Sequence, residues 1–182
     1  MKSIIRAILI FSFSHVLTGQ HSEKFMQFAN QLTPIDSISV AKKYKMDGQK
    51  ETGTYYQYEH LDYIYQFSAG NWKYFYGQNV VMWDDYYDGF GNLISWKVYH
   101  QDGYVLEEGE TLSLDTSAKN LKEFLNTKHK YIVHLASEKK FKYSKELNKT
   151  YLFTKGQKLN GKKVGRWVKY NMDGTIKTER NY

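Results

Sequence analysis

The chain has 182 residues, of which 41% are hydrophobic and 17% are aromatic, and it contains no cysteine. This composition excludes disulfides and a thiol-linked lipid anchor, while the length suffices for one domain held by its hydrophobic core. The formal net charge of +7 becomes +5 when the N-terminal Lys2 and Arg6 are set aside, and the basic residues are distributed from Lys24 to Arg180, which disfavours nucleic-acid binding.

The first predicted element is an N-terminal leader. Lys2 and Arg6 precede an apolar run from Ala7 to Leu17, and this order is typical of a secretory signal peptide. The run is too short and too interrupted by polar residues to span a bilayer, which takes about 20 apolar residues. We therefore predict a signal peptide over residues 1–19, cleavage after Gly19, and a secreted or periplasmic protein with no transmembrane anchor after cleavage.

Two short helices are predicted outside the repeated part of the chain. The first follows Ser22 as a possible N-cap and ends before Pro34. The second is expected as a helical insertion near 115–128, with Asp115 as its cap, between two strand-like segments. We expect both helices to cover the surface of a sheet. The apolar residues at helical spacing are Phe25, Phe28, Ala29 and Leu32 in the first segment and Ala118, Leu121, Phe124 and Leu125 in the second.

The tryptophans carry the main sequence pattern. Each of the four is followed three residues later by another aromatic residue, and the four pairs are Trp72 and Phe75, Trp83 and Tyr86, Trp96 and Tyr99, and Trp167 and Tyr170. Aromatic residues favour strands. We expect successive hairpins to be stacked so that the tryptophans are buried between them.

Turn signals follow the aromatic pairs at a nearly fixed distance. In "WKVYHQDGYVLEE" from Trp96 and "WVKYNMDGTIKTE" from Trp167, the turn glycines are Gly103 and Gly174. A further Asp-Gly occurs at Asp88, one residue early. Asp-Gly between aromatic and β-branched runs predicts a hairpin with a tight type I′ turn. Strands are also expected over residues 131–136 and 149–155. The predicted structural repeat residues are Trp72, Trp83, Trp96, Trp167, Tyr99, Tyr170, Gly103 and Gly174.

A glycine pattern precedes the last tryptophan. In "GKKVGRWVKY" from Gly161, two glycines and a lysine come before the aromatic pair, and a similar order begins at Gly48. This pattern resembles the MORN-type repeat, especially the bacterial variant labelled YwqK-family antitoxin, and the best match covers Gly156 to Tyr182. The resemblance implies a mainly β fold, an antiparallel hairpin-repeat sheet with one or two short covering helices. We predict one such domain over residues 20–182.

Candidate catalytic groups are few. The chain contains no H-E-x-x-H, no G-x-S-x-G and no phosphate-binding glycine loop, and its histidines lack metal-ligand spacing. We therefore assign no catalytic, cofactor-binding or metal-binding residue. Six carboxylates could in principle supply an acid and base pair for glycoside hydrolysis, although turns and solvation also explain them. They are Asp84, Asp85, Asp88, Glu107, Glu108 and Glu110.

Three functional hypotheses follow. The favoured one is a non-enzymatic scaffold or protein-interaction module whose partner is a protein of the envelope or the extracellular space. The alternative is a glycan-binding module that uses exposed Trp and Tyr side chains, and an enzyme of unknown type is less favoured. Burial of Trp72, Trp83 and Trp96 would argue against the glycan hypothesis. Acidic residues that converge in a cleft with perturbed pKa values would favour the enzyme.

Overall fold

A computed structural model describes residues 20–43 and 50–182, so the predicted leader lies outside the described residues. Ten antiparallel strands form one sheet, and their order in the sheet follows their order in the chain. The predicted mainly β hairpin fold is therefore confirmed. The strands are β1 (Asp36–Lys43), β2 (Lys50–His60), β3 (Tyr63–Phe75), β4 (Val81–Tyr87), β5 (Leu93–Tyr99), β6 (Val105–Thr116), β7 (Ile132–Ser144), β8 (Lys149–Leu159), β9 (Lys162–Tyr170) and β10 (Ile176–Asn181).

The first predicted helix is present and shorter than expected. Helix α1 spans Glu23–Ala29, and the hydroxyl of Ser22 accepts a hydrogen bond from the backbone N–H of Phe25 at 3.1 Å, as an N-cap does. The helix ends at Ala29 with Asn30 as its C-cap, well before Pro34.

The second predicted helix is present but shorter than expected, and its predicted cap is wrong. Helix α2 spans only Leu121–Phe124, and its N-cap is Asn120, whose side chain accepts from the backbone N–H of Glu123. Asp115 is not a cap, because it and Thr116 continue strand β6 and pair with β7. The insertion therefore does not interrupt the array: β6 and β7 are neighbours in the sheet, and α2 lies on the connection between them.

The hydrophobic core lies between these helices and strands β2, β3, β5 and β6 of the sheet. The ring of Phe25 contacts that of Phe124 at 5.0 Å between centroids, and the ring of Tyr58 stacks on Phe90 at 4.9 Å. The expectation that the helices cover the sheet is confirmed by this packing. The buried members of the core are Phe25, Ala29, Tyr58, Phe67, Ile94, Leu114, Ala118, Phe124 and Leu125.

The predicted type I′ turn is wrong at the Asp-Gly pairs that contain Gly103 and Gly174. The N–H of Gly103 donates to the carbonyl of His100 at 2.8 Å, and His100 N–H donates to the carbonyl of Tyr104 at 2.9 Å. Gly103 has φ +84°, whereas Asp102 has no positive φ. This geometry is a type I turn followed by a left-handed glycine, and it needs one positive φ where type I′ needs two. Gly174, with φ +86°, repeats it.

The third Asp-Gly pair is used differently from the first two. The backbone N–H of Asp88 donates to the carbonyl of Asn92, and the left-handed glycine of this loop is Gly91, with φ +77°. Gly91, not Gly89, is therefore the counterpart of Gly103. Type I′ turns occur instead at the β2–β3 and β8–β9 connections, where Leu61 with Asp62 and Asn160 with Gly161 all have positive φ.

Tryptophan rings pack across neighbouring strands, on glycine. The rings of Trp72, Trp96 and Trp167 occupy the space where a Cβ would project from Gly53, Gly109 and Gly156, and such a Cβ would come closer than 3.0 Å to ring atoms. The expected stacking of hairpins on one another is therefore wrong: the hairpins lie side by side in one sheet. Each of these rings occupies the space that a side chain would take on the neighbouring strand.

Two of the three pairs are built alike. The indole N–H of Trp72 donates to the carbonyl of Thr54 at 3.0 Å, and that of Trp167 donates to the carbonyl of Gln157 at 2.9 Å. In each case the acceptor is the residue after the paired glycine. A left-handed glycine also lies two residues before each of these tryptophans, Gly70 and Gly165. The buried indole N–H is thereby satisfied, which a buried polar group requires.

The tryptophan–glycine pairs generate a stability prediction. We expect Trp167→Ala to lower the free energy of unfolding by about 3 to 5 kcal/mol, because the ring is 4% exposed. Gly156→Ala should cost about 1 to 3 kcal/mol, because the added methyl group overlaps the ring. Chemical denaturation of the two single variants and the double variant measures the coupling.

The double variant is the internal control. The three atoms nearest to the added methyl group all belong to the Trp167 ring, so Gly156→Ala should cost less in the Trp167→Ala background. Additive losses in the double variant would contradict the proposed contact.

Candidate interaction surface

The predicted repeat residues fall into different environments. Trp72 and Trp167 are buried, Trp96 is half-buried, and Trp83 is 41% exposed. Trp83 has no glycine partner among the described residues. It lies instead at the end of a chain of ring contacts that begins at Tyr55 and passes through Trp72 and Tyr74, with the last two centroids 5.5 Å apart.

The predicted tyrosines and glycines frame the turns. Tyr99 is the last residue of β5, and its carbonyl accepts a hydrogen bond from the hydroxyl of Tyr76 at 2.9 Å. Tyr170 is the last residue of β9, and the ammonium of Lys155 lies 5.7 Å from its ring centroid. Gly103 and Gly174 follow in the loops described above. The eight predicted residues are therefore structural in position, and they do not converge on one site.

A line of alternating charges crosses five strands. Lys73 on β3 is paired in register with Asp84 on β4, Asp84 with Lys97, Lys97 with Glu108, and Glu108 with Lys139 on β7. The ammonium of Lys139 lies 2.9 Å from a Glu108 carboxylate oxygen, and that of Lys73 lies 3.8 Å from Asp84. Opposite charges directly across strands stabilise a sheet by roughly 0.2 to 1 kcal/mol per pair. We call these five residues the charge row.

The charge row is part of a broad groove on the sheet. The groove has a volume of about 440 Å³, and four of the five residues of the charge row, Asp84 to Lys139, contribute to its lining. A second row of uncharged and acidic polar side chains runs beside it in the same register. The members of this second row that also line the groove are Asn71, Tyr86, Ser95, Glu110 and Ser137.

The candidate carboxylates lie in different environments. Asp84, Glu108 and Glu110 line the groove, and Asp84 and Glu108 form ion pairs with Lys73 and Lys139. Burial opposes ionisation of Glu107, yet hydrogen bonds from Lys140 and Trp96 outweigh it and lower its pKa. These groups act as fixed charges that can meet complementary charges on a partner.

Asp85 is the one candidate carboxylate whose pKa is raised. It is paired in register with Trp72 on one side and Trp96 on the other. Burial raises its pKa to about 6, a hydrogen bond from the Tyr87 hydroxyl at 3.3 Å lowers it, and the neighbouring Asp84 raises it further. Asp85 does not line the groove that contains Asp84 and Glu108.

Asp88 is a buried structural centre. It is 3% exposed, and its carboxylate accepts hydrogen bonds from the backbone N–H groups of Phe90 and Asn92 and from the Asn92 side-chain amide, at 2.8 to 2.9 Å. The ring of His21 lies 3.0 Å from the other side of this carboxylate. The network fixes the β4–β5 loop to the segment that precedes α1, so Asp88 has the role in a turn that its Asp-Gly sequence indicates and also a contact with His21 that the sequence did not indicate.

Two histidines lie near this centre, in a second cavity of about 430 Å³. Nδ1 of His129 is 3.2 Å from the side-chain amide oxygen Oδ1 of Asn92, and Nε2 of His134 is 2.7 Å from the Thr111 hydroxyl. Burial lowers the pKa of both rings, and Asp88 partly opposes this. The described residues contain no group of three or more metal-ligating side chains placed to hold an ion.

Comparison with known proteins adds no relative. No protein-family model, no curated protein and no solved structure matches this chain. Neither helix of the described segments has the length and apolar character that a membrane crossing needs.

The raised pKa of Asp85 generates a prediction on pH dependence. The folded state disfavours ionised Asp85, so its contribution to stability is highest below pH 3.8, falls as the pH rises from 3.8 to about 6, and stays low above that. Asp85→Asn removes this titration. We expect the melting temperature of the variant to exceed that of the wild type above pH 6, with a difference that shrinks towards pH 4. A difference that stays constant from pH 4 to pH 7 in calorimetric scans would contradict the assignment.

Proposed function

We propose that the protein is a secreted or periplasmic, non-enzymatic interaction module that binds another protein through the charge row and its groove. The observation that carries the proposal is the row itself. Lys97 in its middle is exposed, and the groove around it is open and broad. Alternating charges at fixed positions on a sheet are suited to recognise a protein surface that carries the complementary alternation.

The rigidity of the groove supports this proposal. Every strand that contributes to the charge row is paired on both sides, from β3 to β7. The row that contains Trp72, Asp85, Trp96 and Gly109 runs directly beside it in register. A surface held in this way loses little conformational entropy on binding, which favours affinity.

Gln20 is the residue that follows the proposed cleavage point, and it is bonded to strand β6. Its side-chain amide donates to the backbone carbonyl of Thr111 at 2.9 Å, and its backbone carbonyl accepts from the N–H of Leu114 at 2.6 Å. Cleavage after Gly19 would leave these bonds in place. We also propose that the hairpins are of the MORN type, since the units around Trp72 and Trp167 repeat the same glycine and hydrogen-bond arrangement.

The alternative of a glycan platform built from Trp72, Trp83 and Trp96 is weakened. Trp72 is 1% exposed, and Trp96 donates its indole N–H to Glu107 at 3.1 Å and is half-buried. Trp83 keeps an exposed ring, which is a small platform by itself. The protein-interaction hypothesis is therefore retained as the main proposal.

Affinity capture with the domain over residues 20–182 tests the proposal. The baits are the wild type, Lys97→Glu, which places three acidic side chains in succession along the charge row, and Lys119→Glu, an exposed site outside the groove with the same charge change. We expect at least one envelope or extracellular protein to be captured by the wild type and by Lys119→Glu, and to be lost with Lys97→Glu.

Circular dichroism shows whether each bait is folded, so that a loss of capture can be assigned to the changed surface and not to unfolding. Lys97→Glu loses two favourable cross-strand neighbours, so a fall of roughly 1 to 2 kcal/mol in stability is expected with the fold retained. Identical capture profiles from the three folded baits would refute the groove as the binding surface.

A further inference from the structure

The charge of the sheet is divided between its two ends. Residues 130–182 contain 14 Lys and Arg side chains and four acidic ones, a formal charge of +10, whereas residues 20–129 contain ten basic and 15 acidic side chains, a formal charge of −5. Strands β7 to β10 lie in the basic segment and are consecutive in the sheet. Basic residues are therefore concentrated in the last four strands, and this end of the sheet is strongly positive.

The basic end is not neutralised internally. Ion pairs engage four of its basic residues, namely Lys139, Lys140, Lys158 and Arg166. The other ten have no carboxylate partner in the part of the chain that the structure describes. An excess of this size attracts anionic partners over a distance of about one Debye length, roughly 8 to 10 Å at physiological salt.

Like charges also face each other directly across strands. Lys139 is paired in register with Lys155, and Lys158 with Lys163. Such pairs destabilise a sheet. A bound anion between the ammonium groups would turn each repulsion into two attractions.

One face of β7 to β9, the face opposite to that of Lys139 and Lys155, arranges five lysines along a line. Side chains alternate along a strand, so Lys140 and Lys142 share a face with Glu138. Thr154 on β8 is paired in register with Lys140 on β7 and with Lys169 on β9, so Lys169 lies on this face too. Lys158 lies on the same face of β8, four residues after Thr154, and it is paired in register with Lys163 on β9. From the position of Lys142 to the row of Lys158 the line covers six residues of β7, which is about 20 Å. We call Lys142, Lys169, Lys140, Lys158 and Lys163 the lysine track.

Aromatic rings hold the free lysines of this track in place. The ammonium of Lys142 lies 3.8 Å from the ring centroid of Phe153, and that of Lys169 lies 5.9 Å from the same ring. The ammonium of Lys163 lies 4.4 Å from the ring centroid of Trp167. The lysine stems therefore lie across apolar rings with their charges fixed near the surface, which reduces the entropy lost when a ligand binds.

We infer that the lysine track binds a linear acidic polysaccharide, one that carries a carboxylate or sulfate group on successive sugars. The track is about 20 Å long and formed by a sheet face, which suits an extended chain that carries several anionic groups. Lysine supplies 12 of the 14 basic residues of this end, and an ammonium group attracts an anion as a point charge, without the bidentate geometry that arginine offers to carboxylate and phosphate groups.

Two other anionic partners fit less well. Duplex DNA is read by an element that enters a groove, and the described part of this end consists of sheet and short turns. A membrane surface would be met by exposed apolar side chains, but the rings on this face are covered by lysine stems. The inference goes beyond the proposed protein interaction and does not depend on the charge row.

Calorimetric titration of the domain over residues 20–182 with polygalacturonate tests the inference, with heparin as a sulfated probe and dextran as a neutral one. We expect binding to at least one acidic polymer and none to dextran, and a loss of affinity of at least about tenfold from 0.05 to 0.5 M NaCl. The triple variant Lys142→Gln, Lys163→Gln and Lys169→Gln should bind at least about tenfold more weakly.

A matched triple variant separates the site from net charge. Lys119→Gln, Lys122→Gln and Lys128→Gln removes three exposed lysines from the β6–β7 connection and should leave the affinity within about twofold. Equal weakening in the two triple variants would overturn the site, and so would the absence of binding at low salt. Tighter binding of single-stranded DNA or of phosphatidylglycerol vesicles than of either acidic polysaccharide at the same salt would overturn the ligand class.

Discussion

The packing of an indole ring on a glycine of the neighbouring strand is the constraint on which this sheet depends. A strand residue with any Cβ would displace the ring, so each pair fixes which residue of one strand lies beside which residue of the next. Trp72, Trp96, Gly109 and Gly156 fall on a single register row that crosses six strands. This row fixes the adjacent rows as well. The alternation of charge along the groove depends on the same register, because a slip of one residue between β4 and β5 would place Asp84 opposite Trp96 or Val98 instead of Lys97.

The two proposed surfaces differ in how their charges are balanced. In the charge row each inner lysine or carboxylate has opposite charges on both sides, so the row is nearly neutral and suits a partner with its own pattern. In the lysine track the single buried carboxylate, Glu138, is shared by Lys158 and Lys140, at 2.5 and 3.6 Å. The remaining lysines are left with aromatic rings as their neighbours. One sheet thus carries a surface suited to pattern recognition and another suited to a uniform polyanion.

Sequence patterns predicted the parts of the fold that depend on local chemistry. The Ser22 cap, the strands after residue 131 and the left-handed glycines at Gly103 and Gly174 follow from short-range rules. The second helix was overestimated, because pairing of Asp115 and Thr116 with β7 overrides their capping propensity. The glycine partners of the tryptophans and the charge row could not be predicted, since both depend on register between strands. The glycines two residues before Trp72 and Trp167, Gly70 and Gly165, were the one sequence feature that could have indicated the tryptophan–glycine pairs.

The order of the strands bears on how the chain acquires its structure. Every strand pairs with its neighbour in sequence, so each hairpin can be added as soon as the next segment emerges, without closing a long loop. The exception is the beginning of the domain, where Ser22 N–H donates to the carbonyl of Leu114 and His21 meets Asp88. These contacts can form only after β6 has folded. We therefore expect the segment that precedes α1 to dock late in folding, after strands β1 to β6 have paired.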